Sequence, residues 1–204
     1  MQPISSLQLD VMNEIGNMGA GHAATALSLL MGRKVDMAVP ATKFLSIEAG
    51  CAELSREGEV GVGVEVGLAG SIDGLTLLTV DENSALHLLE AFGDMLAGQG
   101  LDDELAQSAL MEIGNIVTGS FLTAISDFLG ETASALPPRF IHDYFDAFVC
   151  NVVVAGCSNV DGLLVFKTEL TVDDRCVSSD LVFLPSPEAF ALIMNKILSA
   201  GGMS

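Results

Sequence analysis

Two short stretches of this chain pair a carboxylate with a primary amide three residues on: Glu14-Ile15-Gly16-Asn17 and, 98 residues later, Glu112-Ile113-Gly114-Asn115. On a helix, positions i and i+3 lie about 60° apart at 100° per residue, so each pair shares one face. A carboxylate brings negative charge and acceptors. An amide brings donors and acceptors together, so it can orient a water molecule but cannot act as a base.

More than the four-residue motif repeats. Holding the offset of 98 from Asp10 to Pro40 gives ten identities in 31 columns, including Gly21, Thr25, Ser28, Gly32 and Pro40. On a helical projection Asp10, Glu14, Asn17, Gly21, Thr25 and Ser28 form one narrow stripe, and Ser108, Glu112, Asn115, Gly119, Thr123 and Ser126 form its counterpart. Leu9, Met12, Ile15, Ala23, Leu27 and Leu30 lie opposite the first stripe, and Leu110, Ile113, Val117, Phe121, Ile125 and Phe128 opposite the second, which marks those sides as core. Five of the six stripe positions are identical between copies, against three of the other sixteen from 10 to 31. A merely structural helix shows the reverse, because packing constrains its buried side while surface changes cost little. The stripe therefore reads as an exposed docking face. Gly21 and Gly119, each costing roughly 1 kcal/mol relative to Ala in a helix, would let a partner's backbone come close.

The elements that must hold these faces follow from periodicity. Long helices are expected over about 4–30 and 102–129, stopped by Gly32 and Gly130. A strand-like piece follows each. The alternating run 59–68 and the run 74–80, joined across Asp73-Gly74, read as a hairpin. In the second half, 147–155, 162–170 and 180–184 read as strands, with a turn at Asp161-Gly162. Helices close the halves at about 82–92 and 187–198, and the Gly-rich segment 93–100 links them. The expected fold is α/β (α+β): a single pseudo-two-fold domain over 1–204 from an internal duplication, with repeats at about 4–98 and 102–200 and a mostly antiparallel sheet covered by helices.

Composition closes off other chemistries. With 27 acids against 8 bases the net charge is −19, which repels phosphate backbones and excludes nucleic acid as a partner class. Cys51, Cys150, Cys157 and Cys176 form no CxxC pair and read as reduced, buried thiols; His22, His87 and His142 are scattered, so no metal or cofactor site can be argued. The mean hydropathy of +0.52 raises the question of a membrane span, but the longest uncharged run, 15–32, carries Asn17, His22, Thr25 and Ser28 and reads as a helix of a folded protein without membrane insertion. There is no Gly-x-Ser-x-Gly for a Ser hydrolase.

Asp10-x3-Glu14-x2-Asn17-x22-Pro40 and Ser108-x3-Glu112-x2-Asn115-x22-Pro138 resemble the signature of the CheC/CheX/FliY phosphatases of bacterial and archaeal chemotaxis. That resemblance implies a cytoplasmic phosphatase acting on the aspartyl phosphate of a CheY-type response regulator. It implies that Asn17 and Asn115 position the attacking water while Glu14 and Glu112 pair with the regulator's active-site Lys. Asp10 and Ser108 take supporting places, Gly21, Thr25, Gly119 and Thr123 belong to the docking face, and Mg²⁺ sits on the regulator. Phosphoryl hydrolysis needs chiefly an aligned nucleophile and charge neutralisation, which these residue types can serve. A CheD-like receptor deamidase is a second expected partner, and a monomer the expected state. The alternative is a binding-only scaffold of the chemotaxis or flagellar switch system, which would not need the asparagine in duplicate.

Overall fold

The computed structural model describes residues 4–93, 96, 98–156 and 162–201. The first long helix, α1 (Ser6–Met31), starts at a capping box: Ser5 Oγ accepts from Gln8 N–H, and the Gln8 side chain accepts from Ser5 N–H at 2.8 Å. It stops at Gly32, whose φ of 63° is left-handed backbone that glycine adopts without strain. Its counterpart α4 (Glu104–Leu129) is capped by Asp103, which accepts from two amides of the first turn, and ends on Gly130 with φ of 74°. Both helices have 26 residues, and their ends are offset by the same 98 positions as the motifs.

The remaining elements run in matching order. In the first half β1 (Val35–Leu45), α2 (Ile47–Leu54), β2 (Val60–Gly70), β3 (Gly74–Asp81) and α3 (Glu82–Glu90) follow α1. In the second, β4 (Ala133–Ala135) and β5 (Arg139–Tyr144) stand where β1 stood, and α5 (Phe145–Gly156), β6 (Leu163–Val172), β7 (Arg175–Pro185) and α6 (Pro187–Gly201) follow.

All strand pairs are antiparallel, in the order β1-β6-β7-β3-β2, with β4 and β5 both pairing with β2. The order is a palindrome. The third strands of the two halves, β3 and β7, meet at the centre, and each half's first strand is added to the edge of the other half's hairpin. Because β1 pairs with β6 and β5 with β2, neither half completes its sheet alone.

Strand side chains alternate between two cores. On one face Leu164, Phe166, Leu181 and Phe183 pack beneath α1, α4, α3 and α6; on the other Leu163, Val165, Val182 and Leu184 pack beneath α2 and α5. Glycines set the helix-to-sheet distance: a Cβ at Gly16 would lie 2.9 Å from Phe166, and one at Gly114 would lie 2.4 Å from Val64.

The segment 147–155 is helical, not the expected strand. Its run of valines favours a strand locally, but the buried residues Phe145, Phe148, Val149, Val152 and Val153 recur at helical spacing and pack together onto one face of the sheet. Helix α2 was not anticipated, and β7 begins five residues before the expected strand. Cys51 and Cys150 are half-buried and Cys176 is exposed, so the expectation of buried thiols fails for Cys176 at the start of β7. Cys157, the Asp161 side of the expected turn at Asp161-Gly162, and Asp94, Met95 and Ala97 of the linker lie outside the described residues.

Candidate functional site

Helices α1 and α4 lie side by side on one face of the sheet and run antiparallel, since Phe128 in the last turn of α4 shares a groove with Leu9 and Asp10 in the first turns of α1. Where they cross there is no clearance: a Cβ at Gly19 would come 2.9 Å from the Phe121 Cα. Met12, Ile15, Ala23 and Leu27 are buried as expected of the core side of α1; Leu9 is half-buried and Leu30, at 41% exposure, lies outside the core. On α4, Leu110, Ile113, Val117, Phe121 and Ile125 are buried and Phe128 is half-buried.

The stripes face outward, though not uniformly. Asp10, Glu14, Gly21 and Thr25 are exposed on α1, as are Ser108, Glu112 and Thr123 on α4. Asn17, Ser28, Asn115, Gly119 and Ser126 are half-buried, which corrects the expectation of an evenly exposed stripe. On α1 the cause is strand β1, which runs along the side of the stripe that carries Asn13, Asn17 and Ser28. Thr42 Oγ1 donates to Asn13 Oδ1 at 2.8 Å, and Val35 N–H donates to Ser28 Oγ at 2.9 Å.

The Asn17 side chain is held by three hydrogen bonds. Its Nδ2 donates to the carbonyls of Asn13 (3.0 Å) and Val39 (3.1 Å), and its Oδ1 accepts from Val39 N–H at 3.0 Å. Asn115 makes no side-chain hydrogen bond among the described residues. The threonines behave alike in both copies, Thr25 donating to Gly21 O at 3.0 Å and Thr123 to Gly119 O at 2.8 Å, one turn back. Around Gly21 and Gly119 nothing lies within 4 Å of where a Cβ would be, so both faces are open at that turn.

A groove of about 620 Å³ opens beside the first stripe, between Glu14, Met18, Pro40 and Phe128. A smaller one of about 340 Å³ flanks the second, between Thr123, Ser126 and Thr132. The first is the more apolar, with Met18 52% exposed at its rim. A further groove of about 590 Å³ lies beneath α5, on the other side of the sheet from both motifs, and its Arg139 is paired with Glu65.

Positive charge is scarce here. Arg33, Lys34, Lys43, Arg56, Arg139, Lys167 and Arg175 each have an acidic partner, and among the described residues Lys196 alone of the eight cations has none. Asp180, buried in the sheet, holds Lys167 at 2.9 Å and Arg56 at 3.6 Å, and the Arg56 guanidinium stacks over Phe145 at 4.5 Å; this is a structural cluster remote from the motif helices. No group of three or more His, Cys, Asp or Glu among the described residues is placed to hold a metal ion. Helix α4 is long and apolar enough to cross a membrane on length and composition, but half of its most apolar window is buried against the rest of the fold. Chemistry at these faces thus consists of an exposed carboxylate and a half-buried amide.

Comparison with known proteins bears on what that partner is. The pattern defining the CheC-like family matches residues 7–43 and 105–142, both motif helices with the chain that leaves them. The sequence is 32% identical to the CheY-P phosphatase CheC of Bacillus subtilis over 153 residues, 72% of this chain and 71% of that protein. The fold matches the crystal structure of Thermotoga maritima FliY with a TM-score of 0.76 at 23% identity, over 96% of this chain and 98% of that one. It also matches the CheX-CheY-BeF3-Mg²⁺ complex of Borrelia burgdorferi with a TM-score of 0.51 at 21% identity, over 82% of this chain and 95% of that one.

Proposed function

The chain belongs to the CheC-like family, and from that premise we propose that it is a phosphatase that hydrolyses the aspartyl phosphate of a CheY-type response regulator. The observation that carries the reading is the pair of equivalent helices, each presenting an exposed Glu and, one turn on, an Asn beside an open glycine. In the reaction a water oxygen bonds to phosphorus, the acyl P–O bond breaks, and the aspartate leaves as a carboxylate beside inorganic phosphate.

Asn115, with two donor hydrogens and two acceptor lone pairs uncommitted, enters the regulator's active site and aligns that water. Glu112 pairs with the regulator's Lys and fixes the docking register. Glu14 and Asn17 take the same parts on α1. Asp10 and Ser108 support the docked partner by hydrogen bonding, and Gly21, Thr25, Gly119 and Thr123 form the close-approach surface. Mg²⁺ would be held by the regulator and would supply the neutralisation of phosphoryl charge. The Mg²⁺ in the Borrelia CheX-CheY complex supports that division of labour.

The test is phosphate release from a phosphorylated CheY-type regulator in Mg²⁺ buffer with and without this chain. Acceleration at substoichiometric amounts is the expected result; binding without acceleration would favour the scaffold reading. The same proposal includes a cytoplasmic monomer that forms a 1:1 complex with a CheD-like deamidase and changes its phosphatase rate on doing so. What supports this is the family resemblance and the acidic surface, and failure of the two proteins to co-elute, with an unchanged rate on mixing, removes it.

A further inference from the structure

The two halves hold their asparagines differently, and the difference is written at one position. Val39 grips Asn17 with both of its main-chain groups. Val35, four residues earlier on the same strand, likewise turns its N–H and C=O to Ser28 of α1, and the register of β1 against β6 slips between Ala38 and Ala41, leaving Val39 and Pro40 out of the ladder. Ninety-eight residues later the counterpart of Val39 is Pro137, which has no N–H to give. Pro137 and Pro138 fall in the gap that splits β4 from β5, where β1 is continuous. Ser28 is tied to Val35, whereas Ser126 makes no side-chain hydrogen bond among the described residues.

We propose that the Val39 main chain is a latch that holds the Asn17 amide back until one of its bonds opens, and that proline at 137 is what leaves Asn115 ready to act. The proposal rests on the phosphatase reading and names the positioning residues within it. An amide that aligns water must give it a hydrogen, take one from it, or both. Asn17 has both Nδ2 hydrogens committed and one Oδ1 lone pair left, so it can donate to water only after a bond to Asn13 or Val39 opens. Each opening lowers the competent fraction by a factor on the order of 3 to 10. The face on α4 therefore carries most of the turnover, and the face on α1 contributes the smaller share.

Steady-state phosphate release by the full chain is compared for wild type, Asn17→Ala, Asn115→Ala, Pro137→Ala and Val39→Pro. Asn115→Ala should cost about 10-fold, and Asn17→Ala a reduction of no more than about 2-fold. Pro137→Ala supplies the missing N–H and should lower turnover with the Asn115 side chain intact, while Val39→Pro in the Asn115→Ala background should recover part of the lost rate. A readout independent of activity is hydrogen exchange of the side-chain amides by NMR: Asn17 protected in the wild type and released by Val39→Pro, Asn115 unprotected until Pro137→Ala. If Val39→Pro fails to fold, the two asparagine variants and Pro137→Ala still decide. An active wild type in which Asn17→Ala costs as much as Asn115→Ala, or in which the two amides exchange alike, overturns the latch. A wild type that releases no phosphate overturns the phosphatase reading and the latch with it.

Discussion

Gly114 of α4 rests on Val64 of β2 with no room for a methyl group: a Cβ would lie 2.4 Å from Val64 Cγ1 and 2.6 Å from its Cβ. One residue away from the motif's amide, this contact fixes how far α4 stands off the sheet, and so where Asn115 sits. Gly114→Ala should destabilise the fold by about 1–3 kcal/mol despite alanine's better helix propensity, because the β-branched neighbour cannot swing aside. Urea denaturation measures it, and an unchanged midpoint would show that the contact relaxes.

Gly21 and Gly119 invert that expectation. Open space surrounds both, so alanine should stabilise each helix by up to about 1 kcal/mol. The same methyl group would hold a docked partner off the stripe, so the KM for phosphorylated regulator should rise several-fold while the midpoint improves. A stabilised Gly119→Ala variant with unaltered KM would show that the partner does not approach there.

The charge on the face makes a separate prediction. Glu112→Gln should raise KM by about 10-fold at low salt and leave kcat nearly unchanged, with the ratio to wild type shrinking as ionic strength rises, because a partly exposed ion pair acts on docking and is screened. A loss confined to kcat would assign Glu112 to the chemical step instead.

Asp81 ties stability to pH. Burial pushes its carboxyl up, but hydrogen bonds from the Ser84 hydroxyl and N–H, helped by Arg56, more than offset this and hold it below the usual range. A folded value below the unfolded one means that the stabilisation is fully present above about pH 4 and is lost as pH falls through the folded value. Asp81→Ala should therefore cost about 1 kcal/mol at pH 7, through loss of the N-cap of α3, and the gap to wild type should close in acid. A gap that stays the same from pH 7 down through the whole acid range would rule out the ionised carboxylate as its source.

The parts of the fold that local pattern controls could be read from the chain. Helices α1 and α4, with Gly32 and Gly130 as their stops, and the β2–β3 hairpin around Asp73-Gly74 are set by periodicity and turn chemistry within a few residues. The crossing of first strands onto the other half's hairpin could not be read, because which edge β1 or β5 joins is decided by pairings far apart in sequence. Tertiary packing likewise made α5 a helix: Phe148-Val149 and Val152-Val153 look like strand until their helical spacing is seen to fill the sheet face opposite α1 and α4. At the site, Glu14, Glu112 and the glycines were legible from the repeat, because their placement follows from the helix alone. The grip on Asn17 depends on β1 folding back beside α1. Yet its signal lay in the alignment of the halves, where Val39 stands opposite Pro137 and only one of the two has an amide hydrogen.

The account's central claim is that hydrolysis depends on the two motif asparagines. Replacing either with alanine removes a half-buried amide outside the hydrophobic core, so circular dichroism should report an intact fold. The most direct measurement is steady-state phosphate release from a phosphorylated CheY-type regulator by wild type and by the Asn17→Ala/Asn115→Ala double variant. Loss of water alignment at both faces predicts a fall on the order of 10²-fold. A folded double variant that turns over at the wild-type rate would contradict the claim.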